Sequence, residues 1–599
     1  MSSALLGVVG RRPAAAADQT WGWLGSEVAV SGGSETRVGS CAEWSCIVDG
    51  RLERSDELAA DLGVSAATEA DLIATGLAAF GEALLGRLRG EFAILAWNRS
   101  RGSGIAVKDR LGSRPLHFAS LRPGLVLGSE IRDILSSFPV DRGADELMMA
   151  AWLSRGLAAP ERTLLKAVKR IPAGHLLRFD AAEQAQISRW HHPPYLGVRR
   201  VDGAEAAEVL LEGMRSAVSK RVSSLASPAV MLSGGLDSAA VAALCPCESR
   251  PQVFSMRFPR HPQTDESRRI TDVRSHLGLT GPLRDFVGGS ALAGASTFIS
   301  RWGVPPVTPN LFVWAPLLSE AADLGTTTLL DGEGGDELFG LSTALIAERL
   351  RSGRIGEAWK LSSRIPGMGE NPRRGWIGQA LREYGMRGAI PASQHAWLRR
   401  MRGTQSSPKP WLSDRARALA EVEHDPDASK RGEGPLWWRT KLYTLGAGAD
   451  LLGVADEHRR QAEIHGLEFA HPWRDPDLID LVLELRPELF FDPSRDRPLV
   501  RDALRGLLPE SSLQSDAKPV FNTLLSDSLR GEDSEALHDL LLDSPPDELG
   551  GLIDPEGTGE LLTESTQRPA WTLDVWRLAS LALWLRERAG PPRHDPIAP

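Results

Sequence analysis

Two short stretches of this 599-residue chain combine residue types that packing alone does not require. The first is Ser233-Gly234-Gly235-Leu236-Asp237-Ser238, between the apolar run 229–232 and the small-residue run 239–244. Strand, glycine-serine turn and helix in that order aim backbone N–H groups at an anion. Gly234 and Gly235 let the backbone approach phosphate oxygens without a Cβ in the way. Ser233 and Ser238 add hydroxyl donors, and Asp237 can hold a Mg²⁺ that shares the phosphate charge. No Gly-Lys-Ser/Thr follows, so the spacing is not the Walker pattern. A tight turn in a buried βα unit explains the glycines but not two serines and an aspartate. The second stretch is Leu330-Asp331-Gly332-Glu333-Gly334-Gly335-Asp336-Glu337-Leu338-Phe339-Gly340, after the apolar run 326–330. Four acids beside four glycines make poor packing material. They suit a divalent metal and a reaction that moves protons.

The elements that must position these loops follow from the patterning. A helix over 204–222 leads into the first loop, and a strand over 252–258 follows it. Strands alternating with helices predict a doubly wound parallel α/β sheet with ligands at the carboxyl ends of its strands. Asp265-Glu266 opens the next helix and reads as a pair complementing the helix dipole. Residues 1–200 read differently, as strands at 5–9, 92–97, 105–107 and 125–127 broken by Gly, Pro and Ser clusters, with a helix over 69–79. Trp190-His191-His192-Pro193-Pro194-Tyr195 reads as a linker whose histidines sit in a surface turn. Between 341 and 440, arginines such as Arg349, Arg351, Arg354, Arg373 and Arg374 outnumber nearby acids, and Trp359, Trp376 and Trp397 are interleaved. That region is either a helical insertion with a solvated basic face or a surface that grips an acidic peptide or partner.

Composition narrows the classes. The length favours two or more domains. Hydrophobic content of 42% and charged content of 25% describe an ordinary soluble globular protein. A net charge of −9 argues against a general nucleic-acid binder. No run reaches the ~20 apolar residues of a membrane span, and no signal peptide is evident. Cys41, Cys46, Cys245 and Cys247 are too few for a disulfide framework and fit a reducing cytoplasm. Cys245-Pro246-Cys247 lacks the spacer of a metal or redox pair. The tail from Gly590 reads as disordered.

The two loops resemble the ATP-pyrophosphatase half of the asparagine synthetase family, which makes acyl-adenylates and releases pyrophosphate. Three N-terminal stretches resemble that family's glutamine-amidotransferase domain: Leu88-Arg89-Gly90-Glu91-Phe92-Ala93, Lys108-Asp109-Arg110-Leu111-Gly112-Ser113-Arg114-Pro115-Leu116, and Gly128-Ser129-Glu130-Ile131. The second fits Arg-Asp-x-x-Gly-x-Arg-Pro-Leu except for Lys108. The resemblance implies an α+β, Ntn-hydrolase-like domain (class II glutamine amidotransferase) over 1–200. An α/β ATP-pyrophosphatase domain (adenine nucleotide alpha hydrolase-like) would follow over 203–590, with the divergent basic insertion at about 341–440. It implies ATP contacts from Leu232, Ser233, Gly234, Gly235, Leu236, Asp237, Ser238, Ser255, Met256 and Gly332. Asp237 and Asp336 would hold Mg²⁺, and Glu333 would position or deprotonate an attacking amine. Lys518, in Asp516-Ala517-Lys518-Pro519-Val520-Phe521, would stabilise charge on the α-phosphate and the oxyanion.

Two departures shape the functional expectation. The family's glutaminase needs an N-terminal cysteine before the glycine that opens its first strand. Here Leu6 precedes Gly7, Ser2 is misplaced, and Asp49-Gly50-Arg51 replaces the glutamine-binding Asn-Gly-Glu, so glutamine hydrolysis is not expected. The stretch His465 to Asp475 resembles Gly-x-Glu-x-Arg-x-Pro-x-x-Asp with Ala470 for Arg, which bears on the substrate. An inactive amidotransferase domain on an intact synthetase resembles the β-lactam synthetases and the lasso-peptide macrolactam synthetases. The second resemblance implies adenylation of an Asp or Glu side chain in a precursor peptide and closure by its N-terminal amine. A leader peptidase and a leader-binding protein would be its partners. An ammonia-dependent asparagine synthetase, a small-molecule amide synthetase and a non-catalytic nucleotide binder remain the alternatives.

Overall fold

The computed structural model describes residues 5–9, 22–23, 28–31, 36–65, 68–121, 124–156, 161–180, 184–223, 225, 227–246, 250–368, 373–390, 394, 409–422, 427–447, 449–514, 521–563 and 571–589. Ser2, Cys247, Trp397, Lys518 with its neighbours Asp516 to Val520, and the tail from Gly590 lie outside them.

In the N-terminal half, β1 (Leu6–Val9), β2 (Gly22–Trp23), β3 (Val28–Ser31), β4 (Thr36–Ser40) and β5 (Trp44–Leu52) come first. Helices α1 (Ser55–Leu62) and α2 (Glu69–Phe80) follow. Then come β6 (Gly90–Asn98), β7 (Ser103–Lys108), β8 (His117–Leu121), β9 (Gly124–Gly128), α3 (Ile131–Ser137), α4 (Glu146–Arg155), β10 (Val168–Arg170), β11 (His175–Asp180) and β12 (Ala185–Arg189). They form two antiparallel sheets, ordered β10-β8-β9-β1-β3-β2 and β12-β11-β7-β6-β5-β4. β6 shows why the sheets stack. Its residues are buried on both faces, with Phe92, Ile94 and Ala96 against α1 and α2. Ala93, Leu95 and Trp97 meet Phe118, Leu125 and Leu127 of the other sheet. Period-two alternation makes one continuously apolar strand serve two cores. With α3 and α4 on the far side, the half is a four-layer αββα sandwich.

The C-terminal half begins after an irregular stretch that includes the 190–195 linker. It runs through α5 (Gly203–Val222), β13 (Ala229–Met231), α6 (Leu236–Leu244), β14 (Gln252–Arg257), α7 (Ser267–Leu277), β15 (Leu283–Asp285), α8 (Ala291–Trp302), α9 (Leu311–Asp323) and β16 (Thr328–Leu330). Next are α10 (Gly335–Phe339), α11 (Ala344–Arg351), α12 (Ile355–Ser362), α13 (Arg374–Ala380), α14 (Ala449–Ile464), β17 (Glu468–Ala470), α15 (Pro498–Ala503) and α16 (Trp571–Ala589). The strands form a parallel sheet ordered β15-β14-β13-β16-β17. From β13 the chain builds β14 and β15 to one side and β16 and β17 to the other. The crevice beyond the ends of β13 and β16 is therefore the topological switch point where open α/β sheets bind ligands. The fold class is the one the sequence implies. The region 341–440 is woven into this half, since Leu345, Ile346, Ala358 and Leu361 share a core with α5 and α6. Among the described residues no helix is long and apolar enough to cross a membrane.

The halves are joined by charge. Each of the three N-terminal family-like stretches sends an ionic side chain across the boundary. Glu91 and Glu53 pair with Arg221 of α5, whose side chain is 1% exposed and also meets Asp475. Arg110 clamps Asp480 through two hydrogen bonds of 2.7 and 3.0 Å and donates to the Pro476 carbonyl. Arg114 donates to Glu468 at 2.9 Å, and Glu130 accepts from Arg459 and Arg460 of α14. Asp109 holds the arginine-bearing loop in shape by accepting from the Leu111, Ser113 and Arg114 N–H groups. Burial alone raises the Glu91 carboxyl, but Arg221 foremost and then Arg114 outweigh it, holding it at about 2 rather than 4.5.

Removing one partner from so buried a network leaves uncompensated charge, so Arg221→Ala should cost about 3–5 kcal/mol in urea denaturation. Because the folded Glu91 carboxyl titrates below its unfolded counterpart, its contribution is present above pH 4.5 and is lost as pH falls toward 2. Acid unfolding of Arg221→Ala should accordingly begin at higher pH than in the parent.

Candidate active site

The first loop departs from β13 at the switch point. Gly234 adopts φ 86°, and a Cβ there would lie 2.8 Å from the Glu266 Cβ, so only glycine lets the turn pass. Gly235 caps α6, leaving the helix N-terminus facing the crevice. The serines tie the turn together: Ser233 N–H donates to Ser238 Oγ at 3.2 Å, and the two hydroxyls lie 3.0 Å apart. Gly235 N–H donates to Ser233 Oγ at 3.3 Å. These are weak, local bonds that a phosphate oxygen can replace.

The second loop leaves β16 one strand away. Asp331 organises it, accepting from Glu333 N–H at 3.0 Å and pairing with His471 Nδ1 at 2.8 Å. Burial works against the Asp331 charge, but His471 prevails and keeps the carboxyl below its ordinary range. Gly332 and Gly335 press directly on the first loop. A Cβ on Gly332 would sit 2.7 Å from Ser238 N, and one on Gly335 would sit 2.5 Å from Asp237 Cγ. The glycines are therefore what allow the acidic loop to reach Asp237.

Between the loops lies a residue the motif reading passes over. Arg497, in the left-handed region at φ 48° and just before Pro498, inserts its guanidinium between Asp237 and Asp336. Its Nη1 bonds Asp237 Oδ2 and lies 3.1 Å from Asp336 Oδ1. One cation thus draws together the two carboxylates assigned to Mg²⁺. The donor set fits a hard divalent ion, with two convergent carboxylates beside a helix N-terminus in a cradle that a Cβ would fill. Asp237 and Asp336 would hold it, and it would neutralise phosphate charge.

A cavity of 260 Å³ opens beside the loops. Leu232, Ser233, Gly235, Asp237, Ser238, Gly332 and Glu333 line it, together with Phe254 and Met256 of β14. Ser255 does not line it. It is 1% exposed, and strand parity puts it on the Val253 side while Phe254 and Met256 face the cavity. Gly234, Leu236 and Asp336 shape the loops from outside the lining. Met231 and Asp331 line it as well. Asn310 just before α9, Trp314, Leu317 and Leu318 of α9, His458 and Gln461 of α14, and Phe469 of β17 complete the wall. Nothing local in the sequence marks these, although the amphipathic 311–323 pattern could have pointed to α9 as a wall. Asp265 and Glu266 precede α7, with Glu266 at its N-cap. The Asp265 carboxylate accepts from Phe258 N–H at 2.9 Å and from Ser267 Oγ, closing the end of β14. Burial pushes Glu266 up to about 7 against Gly234.

Where the resemblance places a glutaminase, the described residues are bonded to one another. Leu5 N–H donates to Ser129 Oγ at 3.1 Å, and Ser129 donates to the buried Asp49 at 2.7 Å. Burial raises the thiols of Cys46 and Cys245, the latter to about 12. Neither suits a nucleophile.

A parallel sheet with an anion-binding loop and an acidic loop at its switch point, behind an αββα sandwich, defines a two-part α/β architecture. A family model described as asparagine synthase matches residues 209–586, and one described as a glutamine amidotransferase domain matches 52–191. The chain belongs to the asparagine synthase family. A Mycobacterium tuberculosis protein named putative asparagine synthetase (glutamine-hydrolyzing) is 25% identical over 303 residues, 48% of this chain and 45% of its own length. Amidase chyE of Penicillium rubens is 26% identical over 321 residues, 49% of this chain and 46% of its own. The chain thus spans about half the length of the curated relatives it matches. A solved glutamine phosphoribosylpyrophosphate (PRPP) amidotransferase from B. subtilis, complexed with ADP and GMP, aligns at TM-score 0.22 and 10% identity. It covers 59% of this chain and 73% of that one, too loosely to carry weight.

Arg497→Met leaves two neighbouring carboxylates without their shared counter-charge. It should lower stability by about 3 kcal/mol. Added MgCl₂ should raise the melting temperature of the variant more than that of the parent, as differential scanning calorimetry would show.

Proposed function

We propose that this protein is an ATP-dependent, AMP-forming amide ligase. The observation carrying this reading is the convergence of the two loops on one point, Asp237 meeting Asp336 around Arg497 with Glu333 on the cavity wall. ATP would lay its phosphates over the α6 N-terminus and its base against Phe254, Met256 and Leu318. A substrate carboxylate entering the cavity would attack the α-phosphate and expel pyrophosphate. Glu333 faces the space from which an amine would attack the resulting acyl-adenylate. Bound Mg²⁺ would shield the departing pyrophosphate. Lys518, assigned by resemblance to the oxyanion, falls outside the described residues.

The finer reading is a lasso peptide cyclase. Leu6 before Gly7 and Asp49-Gly50-Arg51 in place of Asn-Gly-Glu support a domain without glutaminase chemistry, so the amine would come with the substrate. Ala470, buried on β17, departs from the family's substrate-side arginine. The 351–387 surface, with Trp359 and Trp376 exposed among arginines, would hold a threaded precursor peptide. A leader peptidase and a leader-binding protein would act with it. The names of the relatives favour a second reading, ammonia-dependent asparagine formation.

The test gives purified protein ATP and Mg²⁺ with either aspartate plus ammonia or a leader-cleaved precursor peptide. The cyclase reading expects a peptide lighter by one water and ATP–pyrophosphate exchange driven by the peptide. Asparagine formation would defeat it. Asp336→Ala should reduce exchange by at least ~100-fold, since it removes charge stabilisation of the departing group.

A further inference from the structure

Among the described residues lining the cavity, His458 is a titratable group that this scheme leaves without a task. It projects from α14, and its Nδ1 lies 3.6 Å from Glu333 Oε2, each side chain being 20% exposed. Both line the cavity that holds Ser233 and Asp237. The ring is braced by Phe469, centroid to centroid 6.3 Å, and Phe469 stacks in turn on His471 at 5.9 Å. His471 is bonded to Asp331, the same carboxylate that accepts the Glu333 N–H. Imidazole and carboxylate are therefore fixed by one connected set of contacts. The charged groups around the ring are Glu333 and Asp331 from the loop after β16, His471 from the segment after β17, and Asp237 across the cavity. On its own helix, Glu457 accepts from Thr308 and Gln461, and Arg459 donates to Glu130.

We infer that His458 is the proton acceptor for the attacking amine, with Glu333 orienting it; this rests on the ligase reading above. Glu333 lies on the Nδ1 side of the ring, and in the tautomer with its proton on Nδ1 the acceptor is Nε2. An amine reaches the site as an ammonium with no lone pair. Its N–H bond breaks toward Nε2, leaving the electron pair on nitrogen. That pair forms the C–N bond to the acyl carbon. On collapse the C–O bond to the phosphate breaks with its electrons going to AMP, and the second nitrogen proton leaves to solvent. Carboxylates as a class are weak bases near neutrality, whereas imidazole is suited to this transfer.

The experiment compares His458→Gln and His458→Asn with the parent protein, using whichever donor of the preceding test, aspartate or the leader-cleaved peptide, supports pyrophosphate exchange. Amide formed per pyrophosphate exchanged should fall about 100-fold in both variants. Hydroxylamine, largely unprotonated at neutral pH, needs no base. Hydroxamate formed per pyrophosphate exchanged should therefore stay within about threefold of the parent. Exchange itself reports that each variant is folded and binds ATP. The inference is overturned if the amide ratio is unchanged, or if hydroxamate formation falls in step with amide formation. Absence of exchange in the parent with either donor overturns the ligase reading and this one with it.

Discussion

Everything in this molecule hangs on the pairing of buried charges across the boundary between its halves. A guanidinium such as that of Arg221, enclosed at 1% exposure, is tolerable only when carboxylates surround it. Here they come from both sides, Glu53 and Glu91 from one half and Asp475 from the other. The same Asp475 caps the helix over 476–484 and accepts from Lys220. That ties the strand β17 region, and with it His471 and the acidic loop, to the N-terminal sandwich. Breaking the boundary would release not only two bodies but also the groups that hold Asp331 and Glu333 in place.

This changes what the N-terminal half is for. Its most specific stretch, Lys108 to Leu116, resembles part of a glutaminase, yet its arginines point outward to Asp480 and Glu468. Leu111 packs into the core of the other half, and its carbonyl accepts from Arg474. In the structure this stretch works at the boundary, while Ser129 donates to Asp49 within its own half.

How much of this was legible in the sequence depended on how local the cause was. The two glycine loops could be read because glycines, serines and acids in that order have few other uses. The parallel sheet and the N-terminal strands followed from alternation and from the runs that stop at glycines. The Ser255 side chain lies on the face of β14 away from the cavity, a parity that Phe254 and Met256 make visible. Arg497 and His458 lie some 120 to 260 residues from their carboxylates, and an arginine before a proline or a histidine in a charged helix has no local signature. The 341–440 stretch reads as an insertion because its composition is basic. Its buried leucines, spaced for α11 and α12, were the sign that it belongs to the core.

The last described helix, α16, has a consequence of another kind. Trp152 of α4 donates to the Arg577 carbonyl at 3.0 Å, and Trp576 and Trp584 donate to Val307 and Gly303. One core joins Val8 and Ile131 to Phe254, Leu329 and Leu585. On the ribosome, the outer layer of the first half must wait for a segment made more than 400 residues later. Non-local closure of this kind is slow and leaves apolar surface uncovered meanwhile. Deleting the first half would leave the second without one wall of its core.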